Sequence, residues 1–277
     1  MTKFTTELPI GIKDEGEVLN VFSINDLTVE QLKVIQNKNF KSDHPMVWLG
    51  NTLSRVIKDI GNKPVSAEFR AKKDKIPQPV RELTLIDVSY ALLCGHVHNL
   101  GTDLPPFKSI CPACQNHVSF EVDLEEDLDL PEIDLEPDQR FEVELPSGYE
   151  HTAKNAEDIG MKGKIWNRYT FRIPKLQDAI RNERHWSGAS SNTFAEHIMA
   201  DCLISARTED GEEMPDDVRQ MIHQNLLLKL PVRDMKAIGR SYGDLAPSFR
   251  FLTNVQCNKC GRGVEVPLDP NFLFTTG

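Results

Sequence analysis

Cys257-Asn258-Lys259-Cys260-Gly261 and, far upstream of it, Cys111-Pro112-Ala113-Cys114 are the stretches on which the reading of the fold turns. Each is a Cys-x-x-Cys knuckle flanked by β-type residues. Phe107 to Ile110 and Val118 to Val122 surround the first, Phe249 to Val255 and Val264 to Leu268 the second. Two thiolates at this spacing can both reach one tetrahedral zinc ion, and a small residue just after them lets the chain turn back. Gly261 is that residue in the second knuckle. In the first, Gln115-Asn116 follows, and Asn116 is expected to take the left-handed conformation. Cys111, Cys114, Cys257 and Cys260 are therefore read as zinc ligands.

The 142 residues between Cys114 and Cys257 leave two arrangements open. Either the knuckles meet in one four-cysteine site, or each completes a site of its own. The first knuckle has Cys94, His96, His98 and His117 nearby, whereas Cys202 and His223 lie far from the second, in expected helices. The second knuckle needs donors, which favours the shared site. A four-thiolate site is closed and leaves no position for a substrate, so it implies a structural clasp and no catalysis. Two rival readings stand beside it: buried thiols without metal, and a redox pair, for which Cys-Pro-Ala-Cys has the spacing. A redox pair places its nucleophile at a helix N-terminus, and Val118 to Val122 reads as a strand.

No other pattern points to chemistry. His96 and His98 fall near a helix end, where a dipole interaction or solvent exposure is the simpler reading. Cys94 and Cys202 sit among apolar helix residues and are expected to pack as small core side chains. Gly239-Arg240-Ser241-Tyr242-Gly243 lacks the Gly-Lys-Ser/Thr of a phosphate loop. No Ser/His/Asp set or carboxylate pair stands out, so an enzyme is not expected.

Composition narrows the class. The 277 residues are 39% hydrophobic and 27% charged, enough for a substantial core in one or two domains. No apolar run is long enough to span a membrane, and Met1 to Glu7 lacks the apolar core of a secretory signal. Six cysteines, four of them in knuckles, suit metal binding in a reducing cytoplasm better than a disulfide framework. The net charge is −10, but Glu121 to Glu144 holds twelve acidic residues against the single Arg140, so the remainder is near neutral. No basic face with interleaved aromatics is present, and nucleic acid is not an expected partner.

Taken in order, the chain opens with a hairpin around Asp14-Glu15-Gly16 and a helix from Asn25 to Ile35. A second helix, capped by Ser42 or Asp43 with Pro45 in its first turn, is expected to run through Met46, Leu49, Leu53, Val56, Ile57 and Ile60 to Gly61. Thr84 and Asp87 form a capping-box-like start to a third. Further helices are expected near Lys175 to Trp186, Thr193 to Ala206 and Asp216 to Lys229, and after Pro231. Glu7-Leu8-Pro9-Ile10-Gly11 is echoed by Glu144-Leu145-Pro146-Ser147-Gly148, and Leu83-x-x-x-Asp87 by Leu230-x-x-x-Asp234, each ahead of its knuckle by a similar distance. This order of parts reads as a degenerate internal duplication. The expected fold is α+β: two similar halves of helices plus small antiparallel sheets, joined through zinc-ribbon-like knuckles. Residues 1–122 would form the N-terminal half, 123–140 an acidic linker, and 141–277 the C-terminal half.

Several of these features together resemble the baseplate hub and hub-assembly proteins of contractile-tailed, T-even-type bacteriophages. They are Glu144 to Gly148, the helix from Leu83 to Leu93 before Cys111 to Cys114, and Cys257-x-x-Cys260-Gly261 followed by Pro267-Leu268-Asp269-Pro270-Asn271-Phe272-Leu273-Phe274. The resemblance implies a non-enzymatic hub component or hub assembly factor that binds other tail proteins. It would act in the cytoplasm of the infected bacterium or in the virion tail baseplate, and Cys111, Cys114, Cys257 and Cys260 would be its paired knuckles. Phe272, Leu273 and Phe274 offer an apolar docking segment, or pack on their own domain. A cellular zinc-ribbon adaptor of nucleic-acid machinery is the alternative, which the charge distribution disfavours.

Overall fold

A computed structural model describes residues 4–36, 44–65, 76–152, 154–185, 191–247, 250–251, 256–264 and 273–274 of the protein. It is a mixed α+β structure with small antiparallel sheets. Contacts divide it into two compact units, one of Met1–Leu135 with Pro247–Gly277, the other of Glu136–Ala246. Residues 247–277, read from sequence with the second half, are thus counted with the first unit.

The first unit begins with β1 (Glu7–Asp14) and β2 (Glu17–Ile24), joined at Glu15-Gly16, both with positive φ as a tight hairpin turn requires. Thr28 and Gln31 form a capping box for α1 (Val29–Ile35). Next come α2 (Pro45–Val56), β3 (Ile57–Ile60) and β4 (Lys63–Pro64), completing a sheet of order β1-β2-β3-β4. The short α3 (Gln78–Glu82) precedes α4 (Leu85–Leu100), whose N-cap Thr84 accepts the Asp87 N–H. Pro45 stands at the start of α2 as expected, while Ser42 and Asp43 lie outside the described residues. The expected helix to Gly61 is overturned: it ends at Val56, and Ile57 to Ile60 pairs with β2. Its β-branched ends, Ile57 and Ile60, are both fully buried and suit a strand.

The acidic stretch is partly built into this unit. β5 (Asp103–Ile110) and β6 (His117–Asp123) form a hairpin; Asp123 then accepts the N–H groups of Glu125 and Glu126, and Leu124 and Leu128 are buried. β7 (Leu128–Asp129) pairs with β11 (Arg250–Phe251). Residues 123–129 are therefore not a solvated connector.

In the second unit β8 (Arg140–Glu150), β9 (Ile165–Arg172) and β10 (Leu203–Thr208) form a sheet in the order β8-β9-β10. Its helices are α5 (Leu176–Asn182), α6 (Ser191–Cys202), α7 (Asp216–Leu226) and α8 (Val232–Leu245). The helix expected to reach Ala206 stops at Cys202, because Leu203 onward pairs with β9. The buried face stacks Phe141 on Phe171 with ring centroids 5.5 Å apart, and Tyr169 on Phe171. Arg172 grips the fully buried Asp178 through two bonds of 2.6 and 2.8 Å and donates to the Asp201 carbonyl. Burial works against the Arg172 cation, but Asp178 outweighs it and holds the guanidinium above its ordinary pKa.

One arrangement occurs in both units. In the first, β1 bulges between Glu7 and Ile12, Gly11 has φ 84°, and the buried Asp87 of α4 accepts the N–H groups of Ile10 (2.9 Å) and Gly11 (3.2 Å). In the second, β8 bulges between Glu144 and Tyr149, Gly148 has φ 67°, and the buried Asp234 of α8 accepts those of Ser147 (3.2 Å) and Gly148 (3.0 Å). A Cβ on Gly11 would sit 2.6 Å from the Leu19 carbonyl oxygen, and one on Gly148 2.5 Å from that of Trp166. Only glycine fits either place. The motifs Glu-Leu-Pro-x-Gly and Leu-x-x-x-Asp are thus two sides of one contact: a helix carboxylate satisfying the N–H groups that a bulge frees.

Burial pushes the Asp87 carboxyl up from 3.8 to about 6, while donors from Ile10, Thr84 and Gly11 hold it down. Folding therefore takes up a proton between these values, and the associated stability, present at low pH, is lost as pH rises through about 6. Asp87→Asn should remove that pH dependence, seen as a wild-type minus variant difference in unfolding midpoint that shrinks from pH 4 to 6. Asp87→Ala and Asp234→Ala should each cost about 2–5 kcal/mol in denaturant unfolding by orphaning two N–H groups. A neutral alanine variant would refute the anchoring role.

Candidate metal centre

The tight turn between β5 and β6 carries Cys111 and Cys114. Cys111 N–H donates to the Asn116 carbonyl and Gln115 N–H to the Cys111 carbonyl, both at 2.9 Å. At the second knuckle Cys257 N–H donates to Arg262 and Gly261 N–H to Cys257, both at 2.8 Å, and Gln256 bridges Gly263 as Ile110 pairs with His117. The two knuckles share one backbone pattern. Seven residues past each leading cysteine, Val118 and Val264 are buried with Cys111 and Cys257 in a single small cluster.

The structure brings together the four cysteines singled out from sequence: their sulfur atoms all lie within 4.8 Å of one another. Across the knuckles Cys111 lies 3.7 Å from Cys260 and Cys114 3.6 Å from Cys257. Zinc–thiolate bonds of about 2.3 Å in tetrahedral geometry put sulfurs about 3.8 Å apart, so the donor set and its spacing fit such an ion. These distances are far from the bonded separation of a disulfide, about 2.05 Å. Cys111 and Cys257 are buried, Cys114 is half-buried and Cys260 is exposed. Asn116 braces the pair of turns by donating from its side-chain amide to the Asn258 side chain at 2.8 Å.

Backbone donors prepare the sulfurs unequally. N–H groups of Cys114 and Ala113 lower the Cys111 pKa, and those of Lys259 and Cys260 bring Cys257 down to about 6. At Cys114 the Asn116 N–H also lowers it, but burial and the three neighbouring thiols prevail and push it up to about 12. A divalent metal is what would make a full thiolate set favourable.

Other sequence expectations divide. The first knuckle opens between strands and not at a helix N-terminus, so the redox-pair geometry is missing there. His96 is buried instead of exposed, and burial lowers its pKa. Its Nδ1 accepts the Phe274 N–H at 3.4 Å, with the Phe274 ring edge-on to the imidazole. Leu273 and Phe274 are each 1% exposed. They pack inside the first unit, which overturns their reading as a docking segment; Phe272 lies outside the described residues. Cys94 is buried and donates to the Thr5 carbonyl, and Cys202 is buried against Asp178, as core side chains. The four-cysteine set is the one such metal-ligating group among the described residues. No described helix is long and apolar enough to cross a membrane.

The left-handed residue of the first knuckle is Gln115 (φ 55°), not Asn116; it occupies the place of Gly261 (φ 70°). A model of the T4 bacteriophage base plate protein family matches residues 1–271. No curated protein and no solved structure is matched.

A side chain in the left-handed region costs about 1–2 kcal/mol, and a Cβ on Gly261 would meet nothing within 4 Å. Gln115→Gly should therefore stabilise the first unit by about 1 kcal/mol, and Gly261→Ala destabilise it by a like amount. Denaturant unfolding of both variants checks this; a destabilising Gln115→Gly would contradict it.

Proposed function

The chain belongs to the T4 bacteriophage base plate protein family, and from that premise we propose that it is a non-enzymatic hub component or hub assembly factor of the tail baseplate, clasped by one zinc ion. The family match over 1–271 carries the baseplate reading and sets aside the nucleic-acid adaptor. Cys111, Cys114, Cys257 and Cys260 would hold the ion, which would supply structure and no open coordination position. Other baseplate proteins are its partners.

Each unit presents the same bulge-and-carboxylate anchor beside three strands paired in chain order, and the two knuckles, both in the first unit, share one backbone pattern. A closed clasp whose two knuckles both lie in the first unit favours a structural role over a catalytic one. The binding free energy of such a site is folding free energy, on the order of 10 kcal/mol in small zinc modules. Ligand thiols must lose their protons, so metal would be held more weakly as pH falls toward the Cys257 value of about 6.

Two measurements test the proposal. Elemental analysis of anaerobically purified protein should find one zinc per chain, lost in Cys257→Ser and Cys260→Ser; two zinc ions, or none, would refute the shared site. Quantitative mass spectrometry of purified particles against infected-cell lysate separates the two baseplate roles. A few copies per particle mark a structural component, and abundance in lysate alone marks an assembly factor. Absence from both would overturn the baseplate role.

A further inference from the structure

We propose that the four-cysteine centre is also an oxidation site: freed of metal and met by a peroxide-class oxidant, it closes into two disulfides across the knuckles, Cys111–Cys260 and Cys114–Cys257. This rests on reading the four side chains as one centre, not on which metal they hold.

Cross-knuckle contacts and the hydrogen bonds at the leading sulfurs favour bonds between knuckles over bonds within them. Cys111 faces Cys260 at 3.7 Å and Cys114 faces Cys257 at 3.6 Å. Reaching a disulfide asks each pair to close by about 1.6 Å, across turns already packed through Val118 and Val264 and tied by Asn116 to Asn258. Within a knuckle the leading sulfur is committed elsewhere. Cys111 accepts N–H groups of Cys114 and Ala113, and Cys257 those of Lys259 and Cys260. An intra-knuckle bond would turn each sulfur away from those donors and abandon their hydrogen bonds.

Exposure sets the order of events. Cys260 is exposed while its partner Cys111 is fully buried. The Cys260 thiolate attacks one peroxide oxygen, the O–O bond breaks, hydroxide leaves, and Cys260 carries a sulfenic acid. Cys111 then attacks that sulfur; the S–S bond forms, hydroxide departs with the thiol proton as water, and the first hydroxide is neutralised by the proton Cys260 had released. Two thiols have been oxidised by two electrons and one peroxide reduced to two waters. Half-buried Cys114 and buried Cys257 repeat the sequence with a second peroxide.

The consequence is a tie that outlives its metal. The bonds would link residues 149 and 143 positions apart, restricting the unfolded chain far more than the small rings within a knuckle. A reducing cytoplasm keeps thiols available for metal, whereas disulfides persist in oxidising surroundings such as virion surfaces.

The test uses full-length protein, purified anaerobically, with its zinc content measured first. Chelator and hydrogen peroxide are then added, remaining thiols alkylated, and linked peptides mapped by mass spectrometry beside a non-reducing gel. Cys111–Cys260 and Cys114–Cys257 peptides, with faster migration that dithiothreitol reverses, are the expected result. Bonds Cys111–Cys114 and Cys257–Cys260, or sulfinic acids in place of disulfides, would overturn the inference. Cross-knuckle bonds in protein that held no zinc as purified would uphold it while removing the zinc reading. The variant Cys114→Ser/Cys257→Ser should keep the faster migration through its remaining pair. Loss of it there would count against the inference only if the wild-type map also lacked Cys111–Cys260.

Discussion

Four sulfur atoms confined within 4.8 Å impose a constraint that local structure alone would not meet. Each knuckle satisfies its own backbone: two hydrogen bonds close the turn, and N–H groups point at the leading sulfur. What neither can do alone is gather four donors. Bringing residues 111–118 and 257–264 together requires closing a loop well over a hundred residues long, an entropic cost that grows slowly with length. Besides the sulfurs, among the described residues two buried valines and one pair of asparagine side chains join the segments. So small an apolar cluster contributes modestly, and the thiols are the group most able to make the closure favourable.

The carboxylates Asp87 and Asp234 solve a related problem within each unit. A strand that bulges frees backbone N–H groups, which cannot be buried without partners. In both units the partner is an aspartate in the first turn of the helix packed on that strand, with a positive-φ glycine making room beside the neighbouring strand. The helix is thereby fixed in register against the sheet by a directional contact, where apolar packing alone would tolerate sliding. Thr84 reinforces Asp87 through its hydroxyl, whereas Pro231 stands at the corresponding cap of α8 and offers no side-chain donor.

Much of this was legible from residue order. The knuckles, the Glu-Leu-Pro-x-Gly echo, the Leu-x-x-x-Asp echo, the first hairpin and the Thr84 cap are short-range patterns with a physical reason at each position. Other features were not. Helices α2 and α6 pass directly into strands β3 and β10 at Val56–Ile57 and Cys202–Leu203, with no glycine or proline between. Periodicity cannot mark such a junction; only pairing with β2 or β9 decides it. Comparing the two halves could have exposed it, since both junctions fall at the same place in the order of elements. Propensity points to Asn116 as the left-handed residue, while the turn's hydrogen bonds put Gln115 there. For Leu273 and Phe274 the sequence leaves docking and packing both open, because nothing local reveals that His96, 178 positions before Phe274, is that residue's neighbour.

The discontinuity of the first unit bears on the order in which the protein is made. Glu136–Ala246 is one uninterrupted segment, so every contact within that unit becomes available before residue 257 leaves the ribosome. The first unit must wait, with Cys111 and Cys114 exposed as an unfinished half-site, until translation has passed Cys260. Long-range contacts of this kind form late and slowly. A nascent chain halted between Ala246 and Cys260 would carry all of the second unit and an open first one. Closure of the sulfur cluster would therefore act as a proofreading step, separating polypeptides that were translated past the second knuckle from those that were not.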